Sequence, residues 1–569
     1  MTSVRTLGCA LLLAGLVLTF ITGRTALAQA IDMQETKYWI FLSDKLDAAG
    51  KTMTVEAGYL TERARQRRLR RGAAPSSTTD APLSPTYLDA LRTLGITPLQ
   101  KSRWLNAVSA RLSATQAETV RALPFVRSIR PVARLSAPPP PADAAPATLD
   151  LPAASKQTSL DYGRSLNQLN LINAVPPLER NPPINGAGVR IGFLDTEFGG
   201  FQHPALAHIV NEGRLVADSN FVGQPQSSRH GRRVVSVAVG FVEGELIGPA
   251  YGAEVITATT EFSPTETNQE EDNFVAALEW MEAMGVDVVN ASIGYANFFD
   301  AGQHNYTTAD LDGDTGLTTI AADYAASMGV VVVTSAGNEG NLSWRFITMP
   351  ADGDSVIAVG STSSSRARAS SSGLGPTADG RTKPDVAAMG VNVYLANTTS
   401  GYGTRSGTSF SSPIVAAVAA QILQVNPDLN PIEVRDILRE TASQANNPDN
   451  FLGWGIIDAD AAIQRAEALF LTATEDEAAI PETFAVRAPY PNPFTTETVF
   501  EIQAPAQAGF ARMSVYNLLG RRVDVPFEGM LNPGTNTIVF RAASLPAGVY
   551  LYRLEGDNVS RTGKMVLIR

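Results

Sequence analysis

Hydrophobic residues follow different patterns in different parts of the chain. Between residues 156 and 468, short strands made almost entirely of apolar residues, such as Val189 to Leu194 and Val330 to Val333, alternate with helices. Such strands indicate a parallel sheet that is covered on both faces. A helix is predicted from Phe274 to Met281, where apolar residues recur at the i, i+3, i+4 and i+7 spacing. This part of the chain therefore predicts an α/β domain.

The segment from residue 31 to 135 predicts a smaller α/β unit. It contains strand-like runs at Tyr38 to Leu42 and Trp104 to Val108. Ser113 and Gln116 have the spacing of a capping box, which predicts the start of a helix. A Pro/Ala-rich linker follows at residues 136 to 155, and its exposed, stiff composition indicates a processing region.

The last part of the chain alternates apolar and polar residues at the period of a strand. Residues 489 to 569 contain runs such as Arg512 to Tyr516 and Val549 to Arg553, separated by turn residues, which predict a small all-β sandwich. Residues 469 to 488 are acidic and have no regular pattern, so they are interpreted as a linker.

The N-terminus has the features of a secretory signal peptide, assigned to residues 1 to 30. Arg5 precedes an apolar run from Leu7 to Ile21, and Ala26 and Ala28 supply a small-x-small cleavage pattern. Because Cys9 is the only cysteine, the processed chain is expected to contain no disulfide. No further membrane-spanning segment is predicted, so the processed protein is expected to be exported without an integral membrane segment.

Charge excludes one broad class of function. The formal net charge of -11 over 569 residues argues against a general nucleic-acid-binding protein, which would carry a basic face. One local basic cluster stands out, and a solvated helix face is the favoured interpretation of it. Its members are Arg63, Arg65, Arg67, Arg68, Arg70 and Arg71.

The first candidate catalytic segment is Gly407 to Pro413, where a turn of small residues places Ser409 at the start of an apolar helix. A serine hydroxyl becomes a useful nucleophile only when a neighbouring base takes its proton. Of the four histidines in the chain, His230 is the candidate base, because it precedes a buried helix and is followed by Gly231. Asp195 is the candidate orienting acid, because it ends an apolar strand, at the edge where parallel sheets place ligands.

A fourth group is expected where negative charge develops. Asn338 lies in the loop Ser335 to Gly340, flanked by glycines after another apolar strand. Its amide could donate a hydrogen bond to an oxyanion, together with the backbone N–H of Ser409. Taken alone, each of these residues has an ordinary structural interpretation, such as a turn, a cap or a solvated surface.

Taken together and in order, these segments resemble the motif series of subtilisin-like serine proteases. The Asp, His, Ser order is that of subtilisin and differs from those of chymotrypsin and the α/β-hydrolases. The resemblance implies a subtilisin-like three-layer fold and peptide-bond hydrolysis, with Asp195, His230 and Ser409 as the triad and Asn338 as oxyanion donor. No cofactor is required for this chemistry. The matching segments are Leu194-Asp195-Thr196, His230-Gly231, Ser335 to Gly340 and Gly407 to Pro413.

The same resemblance implies where a protein or peptide substrate binds. Asn290 to Gly294 is similar to the family segment that pairs with an extended substrate and forms one wall of the primary specificity pocket. The small residues of both walls are expected to leave room for a large side chain. The implied substrate-binding residues are Ser292, Ile293, Gly294, Ser335, Ala336 and Gly337.

Both flanking segments have family resemblances of their own. Residues 31 to 135 resemble the inhibitory, chaperone-like prosegment of subtilisin-like proteases, which implies that the protein is made as a zymogen. Residues 489 to 569 resemble the type IX secretion sorting domain, through segments such as Tyr490 to Phe494 and Lys564 to Arg569. The expected partners are therefore substrates, the chain's own prosegment and the type IX secretion machinery, and the expected location is outside the cell or on its surface.

The motifs depart from the family pattern at two places. Arg232 and Arg233 follow His230-Gly231, and Ile414 follows Pro413, where the family usually has histidine at the last position of each motif. The alternative interpretation is therefore a catalytically silent surface-binding protein on the same fold, with Arg232 at the former cleft. A lipase or esterase is disfavoured, because Gly407 to Ser411 does not form a G-x-S-x-G elbow.

An acidic loop carries the one candidate for metal binding. Asp310, Asp312 and Asp314 could supply oxygen ligands to a structural calcium ion, as in many members of the family. The loop is not an EF-hand, because Thr315 and Ala321 stand where that motif needs glycine and glutamate. An acidic surface loop is the favoured interpretation.

Overall fold

The structure is a computed structural model, and the chain divides into two compact units, Met1–Ala466 and Glu467–Arg569. Its description covers residues 35–132, 134–135, 158–224, 229–262, 267, 269–297, 301–302, 305–478, 485–486, 489–504, 510–517, 520–531, 534–542, 545–556 and 559–568. The predicted signal peptide and the whole of the predicted 136–155 linker lie outside the described residues.

The first unit begins with a four-stranded sheet that carries two helices, Pro85–Thr93 and Ala114–Arg121. The strand order is β2-β3-β1-β4, and β1 pairs antiparallel with both of its neighbours. The elements are β1 (Thr36–Leu42), α1 (Glu62–Arg70), α2 (Pro85–Thr93), β2 (Gln100–Ser102), β3 (Ala107–Leu112), α3 (Ala114–Arg121), β4 (Val126–Val132) and β5 (Arg134–Leu135).

Local sequence signals located most of these elements. The capping box of Ser113 and Gln116 is present at the start of α3, as predicted. The strand predicted from Trp104 was wrong in its first half, because a turn precedes β3. Asn106 closes that turn with a φ of 48°, a left-handed conformation that asparagine tolerates better than most residues.

The rest of the first unit is built on a seven-stranded sheet with the order β15-β14-β13-β11-β6-β10-β7, and every pair of neighbours is parallel. This confirms the predicted α/β architecture. The elements are α4 (Leu166–Leu171), α5 (Val175–Leu178), β6 (Arg190–Asp195), α6 (Pro204–Asn211), β7 (Leu215–Asn220), α7 (His230–Val239), β8 (Phe241–Val242), β9 (Leu246–Ile247), β10 (Glu254–Thr259), α8 (Gln269–Ala283), β11 (Val288–Ala291), β12 (Ala301–Gly302), α9 (Leu317–Ser327), β13 (Val331–Ser335), β14 (Ile357–Thr362), β15 (Val386–Met389), β16 (Val393–Ala396), β17 (Tyr402–Arg405), α10 (Thr408–Val425), α11 (Pro431–Glu440) and α12 (Ala459–Ala478).

Helix α10 forms the centre of the core, because it is apolar over nearly its whole length. Its residues from Ile414 to Ala420 are at most 1% exposed. In the part of the chain that the structure describes, α10 is also the one helix that is long and apolar enough to cross a membrane. Since 89% of its apolar window is buried inside the protein, its composition is that of a core helix.

The small sheet packs on α8 and α9 of the larger domain. Trp39 and Trp104 belong to the same buried cluster as Phe274 and Leu278 of α8 and Ala322 of α9. Acidic residues of α8 meet polar groups of the small sheet: Asp272 accepts a 2.5 Å hydrogen bond from Trp39 Nε1, and Glu279 accepts from the backbone N–H of Arg103 at 3.0 Å. Burial raises the pKa of both carboxyl groups, although these hydrogen bonds oppose the shift.

The prediction of a solvated arginine face at residues 63–71 was wrong for three of the six arginines. Arg67, Arg68 and Arg71 are 3%, 0% and 8% exposed, respectively. They are buried because Glu282 and Asp287, more than 200 positions later in the sequence, supply carboxylates for their guanidinium groups. Sequence alone gave no sign of these partners.

The second unit contains two antiparallel sheets, in agreement with the predicted all-β sandwich. Their strand orders are β18-β19-β22 and β21-β20-β23-β24, and Phe500, Met513, Phe540 and Leu554 are buried in one core. The strands are β18 (Ala485–Val486), β19 (Glu497–Ala504), β20 (Phe510–Asn517), β21 (Arg522–Met530), β22 (Gly534–Arg541), β23 (Gly548–Gly556) and β24 (Val559–Leu567).

The predicted 469–488 linker starts as helix rather than as irregular chain. Helix α12 continues through its acidic residues to Ala478. Alanine, leucine and glutamate all favour a helix, so local propensity sustains it where no hydrophobic stripe was recognised. The boundary between the compact units, at Ala466, lies two residues before the predicted domain end at 468.

Candidate active site

Asp195 and His230 meet at the carboxyl edge of the parallel sheet. Asp195 is the last residue of β6 and is fully buried. Its Oδ1 lies 2.7 Å from His230 Nδ1 and also accepts hydrogen bonds from Thr196 N, at 2.7 Å, and Thr196 Oγ1, at 3.1 Å. The carboxylate is therefore held in place by its own turn, and it can fix both the tautomer and the orientation of the imidazole.

His230 begins α7, and the residues after it determine how that helix packs. Gly231 lies under Phe198, because a Cβ at this glycine would be 2.9 Å from that ring. Arg232 is 2% exposed, and its Nη2 donates a 3.4 Å hydrogen bond to Asn397 O. The Arg232 guanidinium also lies against Gly200, where a Cβ would be 2.5 Å from Nη1. Arg232 is thus packed under neighbouring loops and presents no exposed cation at the cleft.

Ser409 is the second residue of α10. The helix is entered through Gly407, whose φ of 148° favours glycine. Pro413 has no N–H to donate to the carbonyl of Ser409, four residues earlier. Ser292 Oγ donates to that carbonyl instead, at 2.9 Å. The carbonyl of Ser409, which lacks its usual helical donor, is thereby hydrogen-bonded to the residue that follows β11.

Further hydrogen bonds connect α10 to the same strand. Ser412 Oγ donates to Asn290 Oδ1 at 2.7 Å, and Asn290 Nδ2 donates to Ser292 Oγ at 2.9 Å. All three side chains are buried, so water does not compete for these bonds. Ser409 Oγ donates to Ser292 O at 3.3 Å. The ring centroids of His230 and Phe410 are 5.5 Å apart, which places the imidazole beside the residue that follows Ser409.

Asn338 lies beside the first turn of α10. Its Oδ1 accepts hydrogen bonds from Thr408 N, at 2.9 Å, and Thr408 Oγ1, at 3.1 Å. These two donors fix the orientation of the amide, and its Nδ2–H bonds point away from Thr408. The structure therefore brings the loop after β13 to the start of α10, where the sequence predicted an oxyanion donor.

The two predicted walls of the substrate pocket come from the ends of β11 and β13. Ser292 and Ser335 are 4% and 3% exposed, and Ala336 is fully buried. Ile293 is partly buried, and Gly294 and Gly337 face a common neighbour. That neighbour is Thr348: a Cβ on Gly294 would lie 2.1 Å from its Oγ1, and a Cβ on Gly337 would lie 2.8 Å from its Cγ2.

Two side chains that sequence reasoning did not single out, Thr348 and Glu339, lie against these glycines. A Cβ on Gly337 would lie 2.5 Å from Glu339 Oε2, so this carboxylate also faces the glycine wall. Neither Glu339 Oε2 nor Thr348 Oγ1 has a hydrogen-bond partner among the described residues. Burial raises the pKa of Glu339 to about 6. Glu339 could have been singled out from sequence, because it directly follows the candidate residue Asn338. Nothing in the sequence around Thr348 points to a place at this site.

The acidic loop does not gather its carboxylates around one point. Asp310 accepts from Thr307 N, and Asp312 accepts from the N–H groups of Asp314 and Thr315. The Arg381 guanidinium lies against Gly313, where a Cβ would be 2.6 Å from Nη2. Over the residues described, no group of three or more metal-ligating side chains is arranged to hold a metal ion. The acidic loop, as described, therefore does not fit a calcium site.

The other described histidines, His203 and His208, have roles separate from Asp195, His230 and Ser409. His203 caps α6 by accepting from Ala205 N at 3.1 Å, and His208 packs against Phe241 within the same region. His304 lies outside the described residues.

Comparison with protein families finds three matches along the chain. Residues 186–455 match the subtilase family of peptidase S8, and residues 37–144 match the peptidase S8 propeptide domain of Bacteroidota. Residues 488–568 match a secretion system C-terminal sorting domain. The three resemblances predicted from the motifs are thereby confirmed.

Individual proteins resemble the central part of the chain. Subtilisin DY of Bacillus licheniformis is 32% identical over 293 residues, which cover 49% of this chain and 92% of that protein. Serine protease AprX of Bacillus subtilis (strain 168) is 30% identical over 316 residues, covering 49% of this chain and 66% of that protein. Among solved structures, the self-cleaved protease domain of PatA covers 50% of this chain and 98% of its own, with 22% identity and a TM-score of 0.40.

Proposed function

Because the chain belongs to the subtilase family and is a subtilisin-like serine endopeptidase, we propose that Asp195, His230 and Ser409 are its catalytic triad. The observation that carries this proposal is the 2.7 Å contact between Asp195 Oδ1 and His230 Nδ1, beside the helix that begins with Thr408 and Ser409. Labelling with a fluorophosphonate tests it, since only an activated serine reacts rapidly. Protein freed of residues 31 to 135 should be labelled at Ser409.

In the proposed reaction, His230 acts as the base and Ser409 as the nucleophile. Rotation of the Ser409 side chain moves Oγ from Ser292 O towards the imidazole, where Nε2 takes its proton. The Oγ atom attacks the scissile carbonyl carbon, and the imidazolium that forms is stabilised by the Asp195 carboxylate. The same proton then goes to the leaving amine as the peptide C–N bond breaks, giving an acyl-enzyme. A water molecule, activated by His230, hydrolyses the ester and regenerates the serine.

Asn338 is proposed to stabilise the oxyanion of each tetrahedral intermediate. Thr408 N and Oγ1 already hold the Oδ1 side of its amide, so the Nδ2 donor is pre-oriented before substrate arrives. The Ser409 backbone N–H is the second donor. Donors that need no reorganisation contribute most to stabilising developing charge.

Replacing Asn338 with alanine is expected to lower kcat by about 10²–10³-fold with little change in KM, a range that the corresponding change in subtilisin defines. The reason is that the amide acts on the transition state rather than on the bound peptide. Steady-state kinetics on a peptide amide substrate check this, and the melting temperature shows whether the fold is retained. An increase in KM at unchanged kcat would contradict the assignment.

We propose that Thr348 limits the length of the side chain that the primary pocket accepts. Its Oγ1 and Cγ2 occupy space that Gly294 and Gly337 would otherwise leave open to substrate. Substrates with small or short polar side chains before the scissile bond are therefore favoured over large aromatic ones. The expectation from sequence was a pocket with room for a large side chain, and this proposal replaces it with a smaller pocket.

Thr348→Ala is expected to raise the ratio of kcat/KM for phenylalanine over alanine at that substrate position by about 10-fold or more, since a pocket gains such discrimination from one or two methyl-sized groups. Matched peptide substrates measure the ratio. Thr318→Ala is the control, because Thr318 is an equally buried threonine on α9. An equal change of the ratio in both variants would show that the effect is a general loosening of the fold.

The two segments that flank the catalytic domain concern the inhibition of the enzyme and its export. The protease carries a propeptide and a secretion sorting domain, and the sorting domain indicates secretion or attachment at the cell surface. We propose that residues 31 to 135 inhibit the enzyme within one polypeptide until the 136–155 region is cut. In support, β5 pairs antiparallel with β12 of the catalytic domain, so the end of the prosegment already lies on it as an added strand.

A further inference from the structure

The arginine helix, residues 61 to 71 of the prosegment, contacts the catalytic domain away from the prosegment sheet. Thr61 caps the helix and donates its backbone N–H to Ala283 O at 3.0 Å. From there, arginine side chains on one face of the helix donate hydrogen bonds to backbone carbonyls in loops of the catalytic domain, including those of Gly188 and Gly329. The prosegment thus has two attachments, its sheet on α8 and α9 and the arginine helix.

Two carboxylates of the catalytic domain hold this helix. Glu282 accepts from Arg68 Nε at 2.8 Å and Nη2 at 2.7 Å, and it also pairs with Arg67. Asp287 accepts from Arg63 Nη2 at 2.5 Å and Arg71 Nη2 at 3.0 Å. Glu282 is fully buried and Asp287 is 7% exposed. Burial opposes ionisation of Asp287, yet Arg71 and Arg63 hold its pKa below the ordinary value.

Backbone carbonyls complete the set of acceptors. Arg67 Nη1 donates to Val286 O at 2.6 Å, and Arg71 Nη1 donates to Gly329 O at 2.6 Å. Arg63 donates from Nη2 to Gly188 O, at 2.8 Å, and from Nε to Gly285 O, at 3.0 Å. Three planar guanidinium groups therefore each bind a carboxylate and at least one carbonyl, which a lysine ammonium could not reproduce.

These acceptors lie at the amino edge of the parallel sheet. Gly188, Val286 and Gly329 lie two residues before the starts of β6, β11 and β13. Asp195, Ser292 and Ser335 stand at the opposite, carboxyl edge of the same three strands. A strand of six residues spans about 20 Å, so the arginine contacts are separate from the substrate cleft.

The site is also organised by the catalytic domain itself. The Asp287 carboxylate accepts a 3.0 Å hydrogen bond from Arg190 N, the first residue of β6, independently of any arginine from the prosegment. The carbonyls are fixed by the strands that follow them. A site whose acceptors are already in place loses little entropy when it binds its ligand.

We propose that the amino edge of the catalytic sheet is a guanidinium-binding site, with Glu282 and Asp287 as its anions, which retains the arginine helix of residues 61–71 after the 136–155 connection is cut. The cut protein is then a noncovalent complex held at two places. Departure of the prosegment then requires loss of these ion pairs as well as of the sheet contact. The proposal rests on processing within 136–155 but not on the identity of the triad.

The test uses the full chain with Ser409→Ala and an inserted recognition sequence for an unrelated protease within residues 136–155. Cutting is then independent of the chain's own activity, so failure of the triad assignment does not affect the result. After cutting, the dissociation constant of the prosegment is measured by dilution and size-exclusion chromatography. Arg63→Met/Arg71→Met should raise this dissociation constant by about 10²–10³-fold, the cost of leaving the buried Asp287 carboxylate without its two arginine partners.

Arg65→Met/Arg70→Met is the matched control, because it removes the same charge from the same helix without touching either carboxylate: Arg65 pairs with Glu62 of the helix itself, and Arg70 is exposed. The dissociation constant of this control should stay within about 3-fold of the parent chain, since exposed pairs contribute little. Equal dissociation constants for the two double variants would overturn the proposal, because the loss would then not depend on the pairing of Asp287.

A second measurement needs no arginine variant and so does not depend on how such variants fold. Hydrogen exchange of the backbone amides of residues 61–71 is followed in the cut parent complex. Retained protection, equal to that of the uncut chain, supports the site. If these amides exchange freely while those of β1 and β3 stay protected, the arginine helix has left and the proposal is wrong.

Discussion

Replacing Ser409 with alanine is expected to abolish peptide-bond hydrolysis, lowering kcat by about 10⁵–10⁶-fold, because no other group in the proposed site can form the acyl-enzyme. The magnitude is the one that loss of the nucleophile has in subtilisin, a relative. A fluorogenic peptide assay on protein freed of its prosegment measures the loss. Fluorophosphonate labelling of the same preparation should disappear.

Ser411→Ala is the matched control for this change. Ser411 is also buried in the first turns of α10, but its Oγ donates to Thr408 O at 3.0 Å and belongs to none of the proposed catalytic groups. Its activity should stay within about 3-fold of the parent, because one local hydrogen bond within a helix contributes little. If Ser411→Ala lost activity as Ser409→Ala did, the assignment of Ser409 as nucleophile would be wrong.

Replacing Asp195 with asparagine is expected to lower kcat by about 10⁴-fold, the effect that this change has in another Asp-His-Ser protease. The carboxylate accepts from His230 Nδ1, whereas an amide can present its N–H group there and favour the wrong tautomer of the imidazole. KM should change little, because Asp195 is fully buried beneath the histidine and touches no substrate. Separate determination of kcat and KM checks both statements.

Asp218→Asn controls for the loss of a negative charge near the sheet edge. Asp218 lies on β7 and accepts a 2.8 Å hydrogen bond from Thr257 Oγ1, so no histidine depends on it. Its activity should remain close to that of the parent. A loss of similar size in both variants would mean that net charge, rather than the Asp195 and His230 pair, governs the rate.

Much of the fold could be predicted because its signals are local. Wholly apolar runs such as Val330 to Val333 indicate a buried parallel sheet. The capping box at Ser113 marks a helix start through two side chains only three residues apart. The start of β3 was misplaced for an equally local reason, since the left-handed turn at Asn106 precedes it.

The contacts of the site could not be predicted in the same way. Motif order assigned Asp195, His230 and Ser409 to one centre. The number of residues between them, however, does not give the distances between their side chains in space. Thr348 was missed because it faces Gly294 and Gly337 only after two strand ends converge. Its neighbours in sequence, Ile347 and Met349, read as ordinary core.

The sequence by itself determined the three-part organisation, the α/β class of the central domain and the identities of the candidate catalytic side chains, because these depend on short-range pattern and motif order. The tertiary structure decided what surrounds them. Arg68 became a buried ion-pairing group because Glu282, 214 residues away, lies against it. Burial and pairing are properties of two surfaces, and only folding brings those surfaces together.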